Sequence, residues 1–290
     1  MFTGSIVALV TPFKNGEVDY EKLKELVEFH VREGTNAIVP CGTTGESPTL
    51  SHEEHEKIIS EVVQKVQGRI PVIAGTGSNN TKEALKLTRY ASKAGADGAL
   101  VITPYYNKPT QEGLYRHFKI LAEEADIPIV LYNVPSRTGV STSPETVARL
   151  AEFKNIVAIK EASGSLDQIS AITRLCDITV LSGEDSLILP ILSIGGKGVI
   201  SVMANIIPKE TSAMIRGFLG GQLGTEAARE MHDKFYPLAK ALFIETNPIP
   251  VKTAMQILGR LNGELRLPLC EMTEAHKQQL TKALKDYGLL

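Results

Sequence analysis

The stretch NIVAIKEAS, residues 155–163, decides the fold of this chain. Its apolar residues from Ile156 to Ile159 are mostly β-branched and lie between turn-type residues, which predicts a short strand buried on both faces. Lys160 follows at the carboxyl end of that strand. It can be interpreted as a snorkelling side chain or as an ion-pair partner of Glu161. It can also be interpreted as an amine held in an apolar pocket as the free base, ready to attack a carbonyl group. On this stretch alone, the first interpretation is favoured.

Short apolar strands alternate with amphipathic helices on both sides of this stretch. The other predicted strands cover about residues 6–10, 37–41, 70–74, 97–102, 129–132, 179–182 and 198–202. Helix start signals separate them, including an N-cap at Asp19, a capping box at Ser51 and Glu54, and a first-turn proline at Pro144.

This alternation predicts an α/β fold, a TIM (β/α)8 barrel over residues 1–224. A doubly wound open sheet is the alternative, but it would have fewer strands and a glycine-rich phosphate turn, which this sequence lacks. Residues 225–290 contain no strand pattern and predict a C-terminal helical extension packed on the barrel.

Composition and charge exclude several classes of function. The chain has 290 residues, of which 43% are hydrophobic and 22% charged, and its net charge is −2. These values are ordinary for a globular protein and give no electrostatic footprint for nucleic acid or for an anionic membrane. The three cysteines form no CxxC pattern, and the first residues resemble a strand rather than a signal peptide. We therefore expect reduced thiols and a cytoplasmic location.

Polar and special residues cluster directly after the predicted strands, where active sites of (β/α)8 barrels lie. They are Thr43, Thr44, Tyr105, Tyr106, Tyr132, Asn133, Arg137, Lys160, Glu161, Gly183, Glu184 and Asp185. Each alone has a structural explanation, such as a tight turn or a solvated loop, but a strand-end lysine facing threonines, tyrosines and an arginine favours catalysis. An amine forms a Schiff base with a keto acid, and the protonated imine stabilises an enamine that can attack an aldehyde.

No metal or cofactor is predicted. His52 and His55 are three residues apart on a predicted helix, but the sequence HEEH is not the HExxH pattern of zinc hydrolases, and no third ligand of suitable spacing lies nearby. The chemistry indicated is that of a metal-free, class I aldolase.

Seven motifs along the whole chain resemble the dihydrodipicolinate synthase family. In order they are GSIVALVTPF, CGTTGE, YYNKPTQEG, YNVPSRTG, IVAIKEASG, LSGED and GVISVMAN. N-acetylneuraminate lyases and keto-deoxy sugar acid aldolases share the barrel and the lysine. The second residue of GTTGE, which is Thr43, the tyrosine before NKP and the arginine of PSRTG separate this sequence from them.

The resemblance implies a role for each matching residue. Lys160 would form the Schiff base with pyruvate. Tyr132, Thr44 and Tyr106 would relay protons, with Tyr106 supplied by a neighbouring subunit of a homotetramer built as a dimer of tight dimers. Thr43 and Thr44 would bind the pyruvate carboxylate, and Arg137 the carboxylate of L-aspartate 4-semialdehyde. The backbone of Gly183 and Ile200 would line the pocket. The product would be 4-hydroxy-tetrahydrodipicolinate, on the diaminopimelate and lysine route.

The resemblance also implies an effector site for L-lysine at the tight-dimer interface. Its residues would be Ser47, Pro48, His52, His55, Asn79, Glu83 and Tyr105. We expect feedback inhibition, with Glu83 binding the ligand amine, although two ordinary exposed helix histidines are the alternative for His52 and His55.

Two other functions remain open at this point. A non-catalytic sensor could use the same barrel, because fold does not fix function. A pyruvate-dependent aldolase acting on a sugar acid is the other, but a sugar acid presents hydroxyl groups where Arg137 expects a carboxylate.

Overall fold

The computed structural model describes residues 2–290. The ten strands are β1 (Gly4–Ala8), β2 (Phe13–Lys14), β3 (Glu17–Val18), β4 (Ala37–Val39), β5 (Ile73–Gly75), β6 (Gly98–Ile102), β7 (Ile129–Asn133), β8 (Ile156–Glu161), β9 (Thr179–Ser182) and β10 (Gly198–Ser201). The twelve α-helices are α1 (Tyr20–Arg32), α2 (His52–Val66), α3 (Thr81–Ala94), α4 (Gln111–Glu124), α5 (Pro135–Thr138), α6 (Pro144–Leu150), α7 (Leu166–Leu175), α8 (Ile188–Ser193), α9 (Pro208–Leu219), α10 (Thr225–Ala241), α11 (Ile249–Ile257) and α12 (Glu274–Tyr287).

Eight of the strands form one parallel barrel. Their order is β4-β1-β10-β9-β8-β7-β6-β5, and β2 and β3 form a separate antiparallel hairpin. A parallel bridge between Ile38 and Val72, with the Ile38 N–H donating to the Pro71 carbonyl at 3.0 Å, closes the barrel between β4 and the segment leading into β5. The predicted (β/α)8 barrel is confirmed.

The helices begin where the sequence signals place them. Asp19 accepts a hydrogen bond from the Lys22 N–H, and Ser51 and Glu54 make both bonds of the capping box. Each interaction satisfies backbone N–H groups that the first helical turn would otherwise leave without partners. Local chemistry therefore sets the points at which the chain leaves each loop for a helix.

Two apolar layers hold the barrel. Its interior is filled by side chains such as Ile6, Val39, Ile73 and Leu100. A larger shell lies between the outer faces of the strands and the helices, and includes residues such as Val7 and Ile38. Successive strand residues point to opposite faces, so both layers draw on the same continuous apolar strands.

The structure differs from the sequence prediction in three details. Strand bounds shift by a few residues, as in β1, which starts at Gly4 instead of Ile6. The β2–β3 hairpin was not expected from the sequence, and neither was α9, which begins with Pro208 at its first position and completes the eighth β/α unit. The residues after 224 form α10, α11 and α12, as the helical patterns predicted. Within residues 2–290, no helix is both long and apolar enough to cross a membrane.

Candidate active site

Lys160 and Tyr132 form the centre of the site. They are register partners on β8 and β7, so both residues lie at the same height near the carboxyl ends of the strands. The Lys160 Nζ lies 4.2 Å from the centroid of the Tyr132 ring, and both residues are only 6% exposed. The amine is therefore held over an aromatic face in a largely water-excluded position.

Glu161 points away from this pair and has its own partners. Its carboxylate accepts hydrogen bonds from the Asn133 Nδ2 at 3.1 and 3.0 Å, from the Ser163 N–H at 2.8 Å and from the Gln168 Nε2 at 3.0 Å. Lys160 forms no ion pair with any residue between 2 and 290. The interpretation of Lys160 as an ion-pair partner of Glu161 is therefore wrong, because adjacent strand residues face opposite sides.

Thr43 and Thr44 lie in a tight turn after β4. The turn is closed by the Gly45 N–H donating to the Gly42 carbonyl and by the Glu46 N–H donating to the Thr43 carbonyl, both at 3.1 Å. The Thr44 Oγ1 accepts a hydrogen bond from the Asn247 Nδ2 at 3.0 Å. Because this bond uses an acceptor lone pair, the Thr44 hydroxyl keeps its own proton for another partner.

Arg137 lies on the one-turn helix α5, directly after β7. Its Nη2 donates to the Asn247 carbonyl at 2.9 Å, and the side chain is otherwise exposed at the mouth of the site. Asn247 thus contacts both Thr44 and Arg137, from a position just before α11. No local sequence motif marks Asn247, so the sequence alone does not predict its place in the site.

These residues surround a catalytic cavity of about 270 Å³. It is lined by Thr43, Thr44, Tyr132, Arg137, Lys160, Gly183 and Asn247, among others. Gly183 supplies bare backbone because a Cβ there would lie 2.5 Å from the Ala162 Cβ. Ile200 is not part of this lining: its side chain is buried in the barrel interior, so its predicted backbone role stays a prediction.

Two carboxyl groups line the catalytic cavity close to the lysine. Burial raises the pKa of Glu184, and burial also raises the pKa of Asp185. Hydrogen bonds from the N–H groups of Val202 and Met203, at 3.0 and 2.8 Å, oppose that effect at Asp185. Burial therefore disfavours the charged form of these two carboxyl groups.

A second cavity of about 360 Å³ adjoins the first, and we call it the effector cavity. Six of the seven predicted effector residues line it: Ser47, Pro48, His52, His55, Glu83 and Tyr105. Asn79 does not, and its carbonyl instead accepts a hydrogen bond from the Asn107 Nδ2 at 3.0 Å. Thr43, Tyr132 and Arg137 line both cavities and so form a shared wall.

The two histidines of the effector cavity differ in environment. The His52 Nε2 lies 3.1 Å from the Glu83 Oε1, near the surface. His55 is buried and donates from Nε2 to the Gly75 carbonyl at 2.7 Å. Burial lowers the pKa of His55, which favours the neutral ring, and the bond to the Gly75 carbonyl fixes the orientation of that ring.

Tyr106 lies outside both cavities. Its side chain is 89% exposed, and its backbone has a left-handed φ of 69°, which turns the residue out of the loop after β6. Its neighbour Tyr105 lines the effector cavity. The predicted contribution of Tyr106 to the relay of a neighbouring subunit stays a prediction, and such a residue would be exposed in a single chain.

Comparison with known proteins gives the family. A profile described as the dihydrodipicolinate synthetase family matches residues 1–287. The chain belongs to this family. A dihydrodipicolinate synthetase relative from Geotalea uraniireducens, the 4-hydroxy-tetrahydrodipicolinate synthase, is 59% identical over 292 residues covering all of both chains.

Solved structures of the dihydrodipicolinate synthetase family agree with the whole fold. The chloride-inhibited dihydrodipicolinate synthase from Acinetobacter baumannii, in complex with pyruvate, is 46% identical with a TM-score of 0.97 over all of both chains. The dihydrodipicolinate synthase from Cyanidioschyzon merolae, solved with lysine bound, is 45% identical with a TM-score of 0.97, over all of this chain and 99% of that one.

Proposed function

We propose that this chain condenses pyruvate with L-aspartate 4-semialdehyde to give 4-hydroxy-tetrahydrodipicolinate, the first committed step towards diaminopimelate and lysine. The single observation that carries this proposal is the buried Lys160 amine, 4.2 Å from the Tyr132 ring and facing a cavity with no carboxylate paired to it in residues 2–290. A lysine amine that is not engaged in a salt bridge is available to attack a carbonyl carbon and form a Schiff base.

The first half of the reaction forms the enamine. The Lys160 Nζ attacks the pyruvate carbonyl carbon, the carbonyl oxygen leaves as water, and a protonated imine remains. Loss of a proton from the pyruvate methyl carbon then gives the enamine. The hydroxyl groups of Tyr132 and Thr44 would carry these protons, and Tyr106 would complete the relay from a neighbouring subunit.

The second half joins the two substrates. The enamine carbon attacks the aldehyde carbon of the semialdehyde, whose oxygen takes up a proton, and the amine of the product then displaces Lys160 as the ring closes. Arg137 supports this assignment, since it stands at the cavity mouth with a planar fork suited to a carboxylate. One nitrogen is anchored on Asn247, which orients the rest of the guanidinium group.

The experiment that tests the proposal is borohydride trapping with pyruvate, followed by intact-mass measurement and peptide mapping. We expect one reduced pyruvate adduct, on Lys160. Adding aspartate semialdehyde should deplete the trapped species as product forms, whereas a sugar-acid aldolase would show this effect only with a sugar aldehyde. No adduct on Lys160 would refute the Schiff-base mechanism.

L-lysine is proposed as a feedback inhibitor that binds in the effector cavity. The lysine-bound relative from Cyanidioschyzon merolae supports this, together with the clustering of six predicted effector residues here. Glu83, next to His52, would bind the ligand ammonium group, and the wall shared with the catalytic cavity would carry the effect. We expect millimolar lysine to slow turnover and Glu83→Gln to raise the lysine concentration needed. Unchanged rates in millimolar lysine would exclude the effector role.

A cytoplasmic homotetramer, a dimer of tight dimers, is the proposed assembly, with residues 1–224 as the catalytic barrel and 225–290 as its helical extension. The exposure of Tyr106 supports a shared site. Mixing a Tyr106→Phe variant with a Lys160→Ala variant should restore about a quarter of the activity, since half the random dimers would contain one intact site. No recovery after verified subunit exchange would place the complete site within one chain.

A further inference from the structure

A buried ion pair ties the C-terminal extension to the turn that carries Thr43 and Thr44. The Lys252 Nζ, on α11, lies 2.5 Å from the Glu46 Oε1, across a sequence separation of 206 residues. Both side chains are 0% exposed. The Lys252 Nζ also lies 4.2 Å from the centroid of the buried Phe13 ring, so an aromatic face packs against the amine beside the carboxylate.

Glu46 has a backbone conformation that residues with a Cβ rarely adopt. Its φ is 54°, in the left-handed region, which disfavours residues that have a Cβ. Its N–H donates to the Thr43 carbonyl at 3.1 Å, and its carbonyl accepts from the Thr49 N–H at 2.9 Å. Such a conformation persists where the surroundings fix it. Here the fixing contacts are on the carboxylate, from Lys252 and from the Arg266 N–H at 3.2 Å.

The same segment reaches the turn at a second point. Asn247, five positions before Lys252, donates to the Thr44 Oγ1 and accepts from Arg137. The Lys252 N–H in turn donates to the Pro248 carbonyl at 3.0 Å, which fixes the spacing of the two contact points. Residues 247–252 therefore hold the turn on both sides of the Gly45 position.

We infer that Lys252 and Glu46 are positioning residues for the pyruvate site: their ion pair holds the Thr44 hydroxyl at its place opposite Lys160. The C-terminal extension then helps to position active-site residues, in addition to packing on the barrel. This inference rests on the role proposed above for Thr44. The competing explanation is that the pair contributes only to the stability of the fold, as many buried interactions do.

Two variants separate these explanations. Glu46→Asp keeps both charges but shortens the side chain by one methylene, so the turn must shift to keep the contact with Lys252. The double variant Glu46→Gln with Lys252→Met removes both charges together, because removing one alone would leave a buried charge without a partner. Leu280→Ala, in the buried face of α12, is the control for a general loss of stability in the extension.

The measurement is the pyruvate dependence of borohydride trapping, together with kcat and KM, at a temperature where circular dichroism shows each variant folded. We expect both test variants to raise the pyruvate concentration at half-saturation and to lower kcat, by about 10- to 100-fold in kcat/KM. Leu280→Ala should lower the melting temperature and keep the parent kinetic constants.

Parent values of KM and kcat in either folded test variant would overturn the inference and leave the pair a stabilising contact. The parent chain tests the proposed function separately. If it forms no adduct on Lys160, the Schiff-base mechanism fails, whereas a normal parent adduct with unaltered variants removes the positioning role alone.

Discussion

Replacing Tyr132 with phenylalanine isolates the contribution of one hydroxyl group. The ring of Tyr132 is packed in the barrel interior cluster and lies 4.2 Å from the Lys160 Nζ. Phenylalanine keeps this ring and its contact with the amine. Tyr132 lines the catalytic cavity, and its hydroxyl forms no hydrogen bond within the described residues 2–290. We therefore expect the free energy of unfolding to change by less than about 1 kcal/mol.

The effect on catalysis should be far larger than the effect on stability. A positioned proton-transfer group contributes about 10²- to 10⁴-fold, which corresponds to roughly 3–5 kcal/mol of transition-state stabilisation. The loss should appear in kcat, because the hydroxyl is proposed to move protons and not to hold the pyruvate carboxylate. Lys160 keeps its surroundings, so adduct formation should be slowed but not abolished.

The assay compares steady-state kinetics, the rate of borohydride trapping and the thermal unfolding midpoint. Tyr90→Phe is the matched control, since it also removes a tyrosine hydroxyl, one bonded to the Ser60 Oγ at 2.7 Å outside both cavities. We expect it to leave kcat unchanged. A kcat within about twofold of the parent in Tyr132→Phe, far less than such proton-transfer groups contribute, would refute the relay role of Tyr132.

Three further predictions concern other parts of the molecule. Arg137→Lys loses the planar fork, so the KM for the aldehyde should rise about 10- to 100-fold while the pyruvate dependence of trapping stays near the parent value; an equal rise for both substrates would contradict this. Gly183→Ala would place a Cβ 2.5 Å from that of Ala162 and should lower stability by about 1–3 kcal/mol together with activity. Gly224→Ala, with no atom within 4 Å of the new Cβ, should leave activity unchanged and should cost at most about 1 kcal/mol, because Gly224 is the N-cap of α10. Burial lowers the pKa of His117 to about 4 from 6.5, so the unfolded chain binds a proton that the folded chain does not, and stability should fall as pH drops from 6.5 towards 4. Urea unfolding should show that the free energy of unfolding falls between pH 7 and pH 5, and that this fall is about 2 kcal/mol smaller in His117→Leu than in the parent. An equal fall in both proteins would refute the lowered pKa of His117.

The parts of the fold that depend on neighbouring residues were predictable from the sequence. The capping box of Ser51 and Glu54 marks the start of α2 because both bonds close within three residues. The apolar run before Lys160 predicts a strand because a parallel strand in a barrel has no polar face. Strand ends were less certain, since the last residue with ladder hydrogen bonds depends on the neighbouring strands, as at β10, which ends at Ser201 and not at Val202.

The site could be predicted where residues follow strands directly and not where distant segments meet. Lys160, Tyr132 and the threonine turn all follow from strand-end positions in a barrel. Asn247 and Lys252 could not be found in this way, because their partners lie 203 and 206 residues away in the sequence. Helix α9 was not predicted, although Pro208 at its first position is a helix-start signal.

The wall shared by the two cavities has a thermodynamic consequence. Thr43, Tyr132 and Arg137 each present atoms to both spaces, so a ligand in either one changes the environment of the other. Linkage requires the effect to be mutual: whatever factor a ligand of the effector cavity applies to pyruvate affinity, pyruvate applies to the affinity of that ligand. Under the proposed inhibition by L-lysine, we expect substitutions in these three residues to alter turnover and feedback together, whereas substitutions in outer residues such as His52, which lines only the effector cavity, should alter feedback alone.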